Sequence, residues 1–162
     1  MTEEQRPAER ESASSSLDEL VEEVNRQVLA DMRRLYSPQV VDRFYDPRNL
    51  GRMREANGHA CITGPCGDTM EIWVLVEAGR VDRATFMTDG CGPTIACGSM
   101  TTELATGRST DEAAAVRQQD VLDALGGLPE ESRHCALLAA NTLRAAILDY
   151  SKRGRTTRGD DE

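Results

Sequence analysis

Apolar positions along the chain change period twice, and the changes mark the elements. Leu17, Val21, Val24, Val28, Met32 and Leu35 recur every three or four residues, forming one face of a helix. Ser16, with Glu19 three residues on, is a capping box that predicts the helix start, giving an amphipathic helix over residues 16–35. Residues 1–15 are polar and end in a serine run, and are expected to be a disordered tail. Tyr36 to Tyr45 reads as a second short helix, stopped at Asp46-Pro47 because the residue before proline avoids the helical region. The period then shortens. His59 to Thr63, Glu71 to Glu77 and Val81 to Thr88 are rich in β-branched and aromatic residues and read as strands. Ala78-Gly79-Arg80 joins the last two by so short a turn that they must be antiparallel.

Helical spacing returns after Thr88. Pro93 suits the first turn of a helix ended by Gly107, and Ser109 with Glu112 caps a helix over Asp111 to Val116. Asp120 is read as the cap of a brief helix stopped by Gly126-Gly127. The last helix begins between Pro129 and Ser132 and runs through Leu137, Ala140, Leu143, Ile147 and Tyr150. Helices segregated from three consecutive strands predict an α+β fold: a three-stranded antiparallel sheet packed against a set of helices, with an extra N-terminal amphipathic helix. The expected organisation is a tail (1–15), a helical extension (16–35), one domain (36–150) and a charged tail (151–162).

Charge narrows the function classes. The chain has 162 residues, with 28 acidic against 19 basic side chains and a formal net charge of −9. A nucleic-acid backbone binder needs a basic face, so no nucleic-acid partner is expected. No run of about 18 apolar residues exists, so no membrane span is expected. The acidic N-terminus has no apolar signal core, which points to a cytoplasmic protein of a bacterium or archaeon. Five cysteines are an odd number, against a fully paired disulfide framework.

Chemistry concentrates in three short motifs: G-P-C-G-D (Gly64 to Asp68), D-G-C-G-P (Asp89 to Pro93) and R-H-C (Arg133 to Cys135). Cys66 falls in a turn between strands, Cys91 between two glycines before a helix, and His134 and Cys135 in a helix's opening turn. Small neighbours admit a bulky inorganic group, and a helix N-terminus favours a thiolate. Three thiolates with one imidazole and one carboxylate suit a thiophilic metal or an iron–sulfur cluster. Cys61, within a strand beside Ile62, is expected to be buried in the core, as are mid-helix Cys97 and Trp73. His59 has no assigned role. A Cys–His–Asp hydrolase built on Cys91 or Cys66 and His134 is disfavoured, because no oxyanion motif accompanies it.

These residues resemble the IscU/NifU N-terminal family of iron–sulfur cluster assembly scaffolds. The resemblance runs from Y-S-P-Q-V-V-D-R-F-Y-D-P-R-N-L-G (Tyr36 to Gly51) through G-P-C-G-D-T-M, D-G-C-G-P-T-I-A and T-G-R-S-T-D-E-A to L-P-E-E-S-R-H-C-A-L-L-A (Leu128 to Ala139). It implies a non-enzymatic scaffold that assembles a transient [2Fe–2S] cluster from Fe2+ and sulfide and transfers it to acceptor apoproteins. Cys66, Cys91 and Cys135 would be cluster thiolates, with His134 and Asp68 contending for the fourth position. The family's aspartate is associated with a labile cluster. Sulfur would arrive from a cysteine desulfurase as a persulfide, on Cys135 by first choice and Cys66 by second. A ferredoxin would donate electrons, and the cluster-bound form would be a homodimer, with Tyr36 matching a tyrosine implicated in dimer formation. Zn2+ would occupy the same ligands in purified protein, and a zinc-dependent sulfur acceptor like the related SufU branch is the alternative reading. That branch carries an insertion between its second and third cysteines, whereas Cys91 to Cys135 is compact here. Leu128-Pro129-Glu130-Glu131-Ser132 departs from the family's L-P-P-V-K, which weighs against the dedicated chaperone as a partner.

Overall fold

The computed structural model describes the backbone of residues 6–156 and the side chains of residues 15–155. Two compact units divide at Leu35/Tyr36. The first is one helix, α1 (Arg6–Leu35). It starts ten residues before the Ser16 capping box, because Ala8, Glu9, Arg10, Glu11 and Ala13 are good helix formers and carry the helix through the serine run. Taken by itself, α1 leaves Leu17, Leu20, Val21, Val24 and Val28 exposed. Residues 1–5 and 157–162, covered by the two tail expectations, lie outside the described residues. Residues 151–156 continue the last helix instead.

The second unit is the α+β body. After α2 (Pro38–Tyr45) come β1 (Gly58–Thr63), β2 (Thr69–Glu77) and β3 (Arg80–Thr88), then α3 (Gly92–Ala105), α4 (Thr110–Ala114), α5 (Gln118–Ala124) and α6 (Arg133–Thr156). The sheet is an antiparallel meander in the order β1-β2-β3. Ala78 and Gly79 both have positive φ (50° and 75°), as a type I′ two-residue hairpin turn requires. Capping is local and legible: Ser37 accepts from the Val40 N–H, and Ser109 and Glu112 cap each other reciprocally. Asp120 is a correction. It sits one turn inside α5, where its carboxylate accepts from the Arg117 N–H at 2.8 Å, so Arg117 holds the cap position.

Alternation along β2 sends Met70, Ile72, Val74 and Val76 into the core. α6 packs on β1 and β2, and α3 packs on β3 and α6. Phe86 of β3 is fully buried with its ring seated on Gly98 of α3, where a Cβ would lie 2.4 Å from the ring. Two expectations fail on the opposite face of the sheet. Cys61 is exposed, opposite Glu71 in the antiparallel register, and Trp73 is half-buried, its ring stacked on His59 at 5.0 Å. Both residues are out of phase with the buried set, and the strand's period of two decides the matter whatever the residue type. Cys97 is buried, as expected.

Candidate metal centre

Three chain segments meet at the end of the sheet. The first is the β1–β2 loop, closed by Gly64 N–H to Asp68 carbonyl (2.8 Å) and tightened by Gly67 at φ 89°. It holds Cys66 exposed and Asp68 half-buried. The second is the β3–α3 corner, clamped to that loop by the Thr69 N–H donating to Asp89 Oδ1 (2.7 Å) and by the Thr88 hydroxyl donating to the Thr69 carbonyl (2.7 Å). Cys91 takes the N-cap of α3 but makes no side-chain cap, so its exposed sulfur is not spent on closing the helix. The third is the start of α6, which follows a single 3-10 turn at Glu130–Ser132.

Cys135 faces inward with 2% exposure, while His134 beside it is half-exposed with Nε2 3.7 Å from the Cys135 sulfur. A residue of the D-G-C-G-P-T-I-A motif that carries no ligand chemistry of its own ties the segments together. Thr94, in the first turn of α3 and fully buried, places Oγ1 2.8 Å from Asp68 Oδ2, 3.3 Å from Cys135 Sγ and 4.0 Å from Cys91 Sγ. The available signal was its spacing: a residue three after an N-cap lies back over it. Gly90 completes the packing. A Cβ there would stand 2.6 Å from Asp68 Oδ2 and 2.7 Å from Thr94 Cβ, so only a bare α-carbon fits.

Asp68, Cys91 and Cys135 are therefore gathered around one hydroxyl, with Cys66 and His134 at the margin. Among the described residues no three His, Cys, Asp or Glu side chains already converge at metal-binding distance. Soft sulfurs beside one hard carboxylate fit a thiophilic metal held by a mixed set. Tyr36 lies apart from these contacts, half-buried against the hydrophobic core.

Burial reverses the expectation of a ready thiolate at Cys135. Desolvation pushes its thiol up; the Thr94 hydroxyl pulls it down, and the charges of Cys91, Cys66 and Asp68 push it up again. Iodoacetamide on the metal-free protein is expected to label Cys66, Cys91 and Cys61 at least about tenfold faster than Cys135 and Cys97, read by peptide mass spectrometry. Equal labelling would contradict this burial order.

Cys97, buried behind the site, has its thiol raised well above the ordinary value by desolvation, with Cys135 and Cys91 adding to it. A group raised in the folded state stabilises the fold below its unfolded value, about 8.5, and that contribution is lost as pH climbs toward the folded value. Urea unfolding of the metal-free protein is expected to show a midpoint that falls above about pH 8.5, with a shallower fall in Cys97→Ala.

The family profile described as the NifU-like N terminal domain matches residues 35–157. "Iron-sulfur cluster assembly scaffold protein IscU 1" of Archaeoglobus fulgidus is 42% identical over 120 residues, covering 74% of this chain and 78% of its own. The protein named iron-sulfur cluster assembly scaffold protein IscU of Escherichia coli strain K12 is 38% identical over 123 residues, covering 73% and 95%. The fold is also similar to a nitrogen-fixing NifU-like protein (N-terminal) from Brucella abortus, with TM-score 0.58 at 18% identity, covering 72% of this chain and 94% of that one. The α+β body with its sulfur-bearing corner, rather than α1, carries the match, and the chain belongs to the NifU-like N-terminal domain family.

Proposed function

We propose that this protein is an IscU-type scaffold: it assembles an iron–sulfur cluster, a [2Fe–2S] unit, and passes it to acceptor apoproteins. The observation that carries this reading is the meeting of Asp68, Cys91 and Cys135 on one hydroxyl, within a chain whose relatives at 38–42% identity are named as such scaffolds. The cluster is cargo. Cys66, Cys91 and Cys135 hold it through thiolates, and Asp68 and His134 share the fourth position. A hard carboxylate is a poor partner for iron already bound by sulfide, so such a set releases what it builds. Fe2+ enters from solvent on the exposed Cys66 and Cys91 side.

Sulfur comes from a cysteine desulfurase. The acceptor thiolate attacks the outer sulfur of the desulfurase persulfide, the new S–S bond forms, and the desulfurase thiolate leaves. Electrons from a ferredoxin reduce that sulfur to sulfide. Exposure favours Cys66 as the receiving group, while buried Cys135 accepts only after the corner opens. The loaded form is a homodimer, with Tyr36 at its contact, and the work is done in the cytoplasm. No described helix is long and apolar enough to cross a membrane.

Anaerobic reconstitution with Fe2+ and sulfide tests the reading. The expected product is a coloured protein with sulfide-to-iron charge-transfer absorption that fades as an apoferredoxin gains its own cluster. A colourless protein that accepts sulfur with Zn2+ alone would replace this reading with the zinc-dependent one.

A further inference from the structure

We propose that Thr94 is a positioning residue of the metal site: its hydroxyl holds the Asp68 carboxylate and the Cys135 sulfur facing the same point, ready for a metal. The inference rests on the scaffold reading and deepens it. Thr94 is fully buried, yet its oxygen contacts groups from two other segments, the β1–β2 loop (2.8 Å) and the start of α6 (3.3 Å), and approaches Cys91 on its own corner (4.0 Å). A hydroxyl in an apolar first turn of α3, flanked by buried Pro93 and half-buried Ile95, is not needed for packing, since valine has the same shape. Among the described residues, its oxygen joins Asp68 to Cys135.

A hydroxyl carries a single hydrogen, so Thr94 donates to one partner at a time and accepts from or merely touches the others. Asp68 Oδ2 and Cys135 Sγ are thereby held against the same oxygen before iron arrives. Outer-shell partners that orient ligands in this way are worth roughly 10–100-fold in metal affinity. Gly90 gives a second, independent handle. Its missing side chain leaves the space in which Asp68 Oδ2 and Thr94 meet, and a methyl there would stand 2.6 Å from the carboxylate oxygen.

The test uses Co2+ on the full-length protein under anaerobic conditions, with affinity read by chelator competition and coordination read from the thiolate-to-cobalt charge-transfer band. Thr94→Val is expected to bind Co2+ about 10–100-fold more weakly and with a diminished band, and Thr94→Ala to do the same. Thr94→Ser, which restores the hydroxyl, is expected to stay within about threefold of the natural protein. Gly90→Ala is expected to weaken binding in the same direction. In an Asp68→Ala background the Thr94→Val effect is expected to shrink, as it must if the two act together. Circular dichroism and melting of each metal-free variant separate folding from binding; should Thr94→Val not fold, Thr94→Ala adds no atoms and carries the comparison.

Thr94→Val or Thr94→Ala binding Co2+ like the natural protein would overturn the role, as would Thr94→Ser falling as far as they do. An undiminished Thr94→Val effect without Asp68 would also overturn it. Natural protein that shows no thiolate-to-cobalt band would sink the scaffold reading and the Thr94 role together. Binding by the natural protein that Thr94 variants leave untouched would sink only the latter.

Discussion

Cys91→Ala is expected to abolish cluster loading while leaving the fold intact. The sulfur of Cys91 is exposed and makes no cap to α3, so its removal takes away little buried surface and only the long 4.0 Å contact with Thr94. Cys66→Ala stands on the same ground, since its side chain projects from a loop closed by backbone bonds of Gly64 and Asp68. Losing an outer-shell partner already costs about 10–100-fold in metal affinity, and losing a ligand exceeds that. Reconstituted iron and sulfide should therefore fall by more than about tenfold in either variant, with the melting temperature within about 2 °C of the natural protein, as for surface changes. Cys135→Ala is a less discriminating probe, because a buried sulfur also contributes packing. Loading unchanged in both Cys66→Ala and Cys91→Ala would remove the corner from the mechanism.

Phe86→Ala is expected to produce the largest loss of stability, about 3–5 kcal/mol, the range for a fully buried phenylalanine. In a body of this size that lowers the melting temperature by on the order of 10 °C, measurable by calorimetry of the metal-free protein. The reason is positional. Phe86 stands on β3 with its ring on Gly98, its N–H donates to the Asn49 carbonyl at 3.0 Å, and its carbonyl accepts from Gly51 at 2.8 Å. One residue thus joins the sheet, α3 and the segment that covers the β3 edge. Gly98→Ala attacks the same contact from the other side, by overpacking at about 1–3 kcal/mol, because the new methyl would meet the ring at 2.4 Å. The two changes share one contact, so their combination should cost less than the sum. A strictly additive double variant would show that the ring does not lie on Gly98. β3 leads into Cys91 and α3 leads out of it, so loosening this contact also loosens the corner.

Much of this architecture was legible in the chain. The strand–turn–strand run with Ala78-Gly79, the Ser109/Glu112 box and the return of helical spacing after Thr88 are signals between residues close in sequence, and local hydrogen bonds are decided locally. The metal motifs stood out for the same reason, since each cysteine has small or capping residues beside it. Cys61 and Trp73 have core-type side chains but the wrong phase, and a strand sends alternate residues to opposite faces whatever their hydrophobicity. At Asp120 the sequence is ambiguous, because an acidic residue serves equally as a cap or as the partner one turn inside.

By itself, then, the sequence determined the element order, the antiparallel hairpins, the family and the thiols, carboxylate and imidazole that could serve a metal. Tertiary structure alone decided which of them share one space, and it did so through Thr94, Gly90 and Gly98, none of which advertises chemistry. It also turned Cys135 from an expected thiolate at a helix start into a buried thiol. The physical reason is common to both. Desolvation and van der Waals exclusion depend on what long-range folding brings within a few ångströms, and residues 26 and 41 positions apart in the chain carry no local mark that they will meet at one hydroxyl.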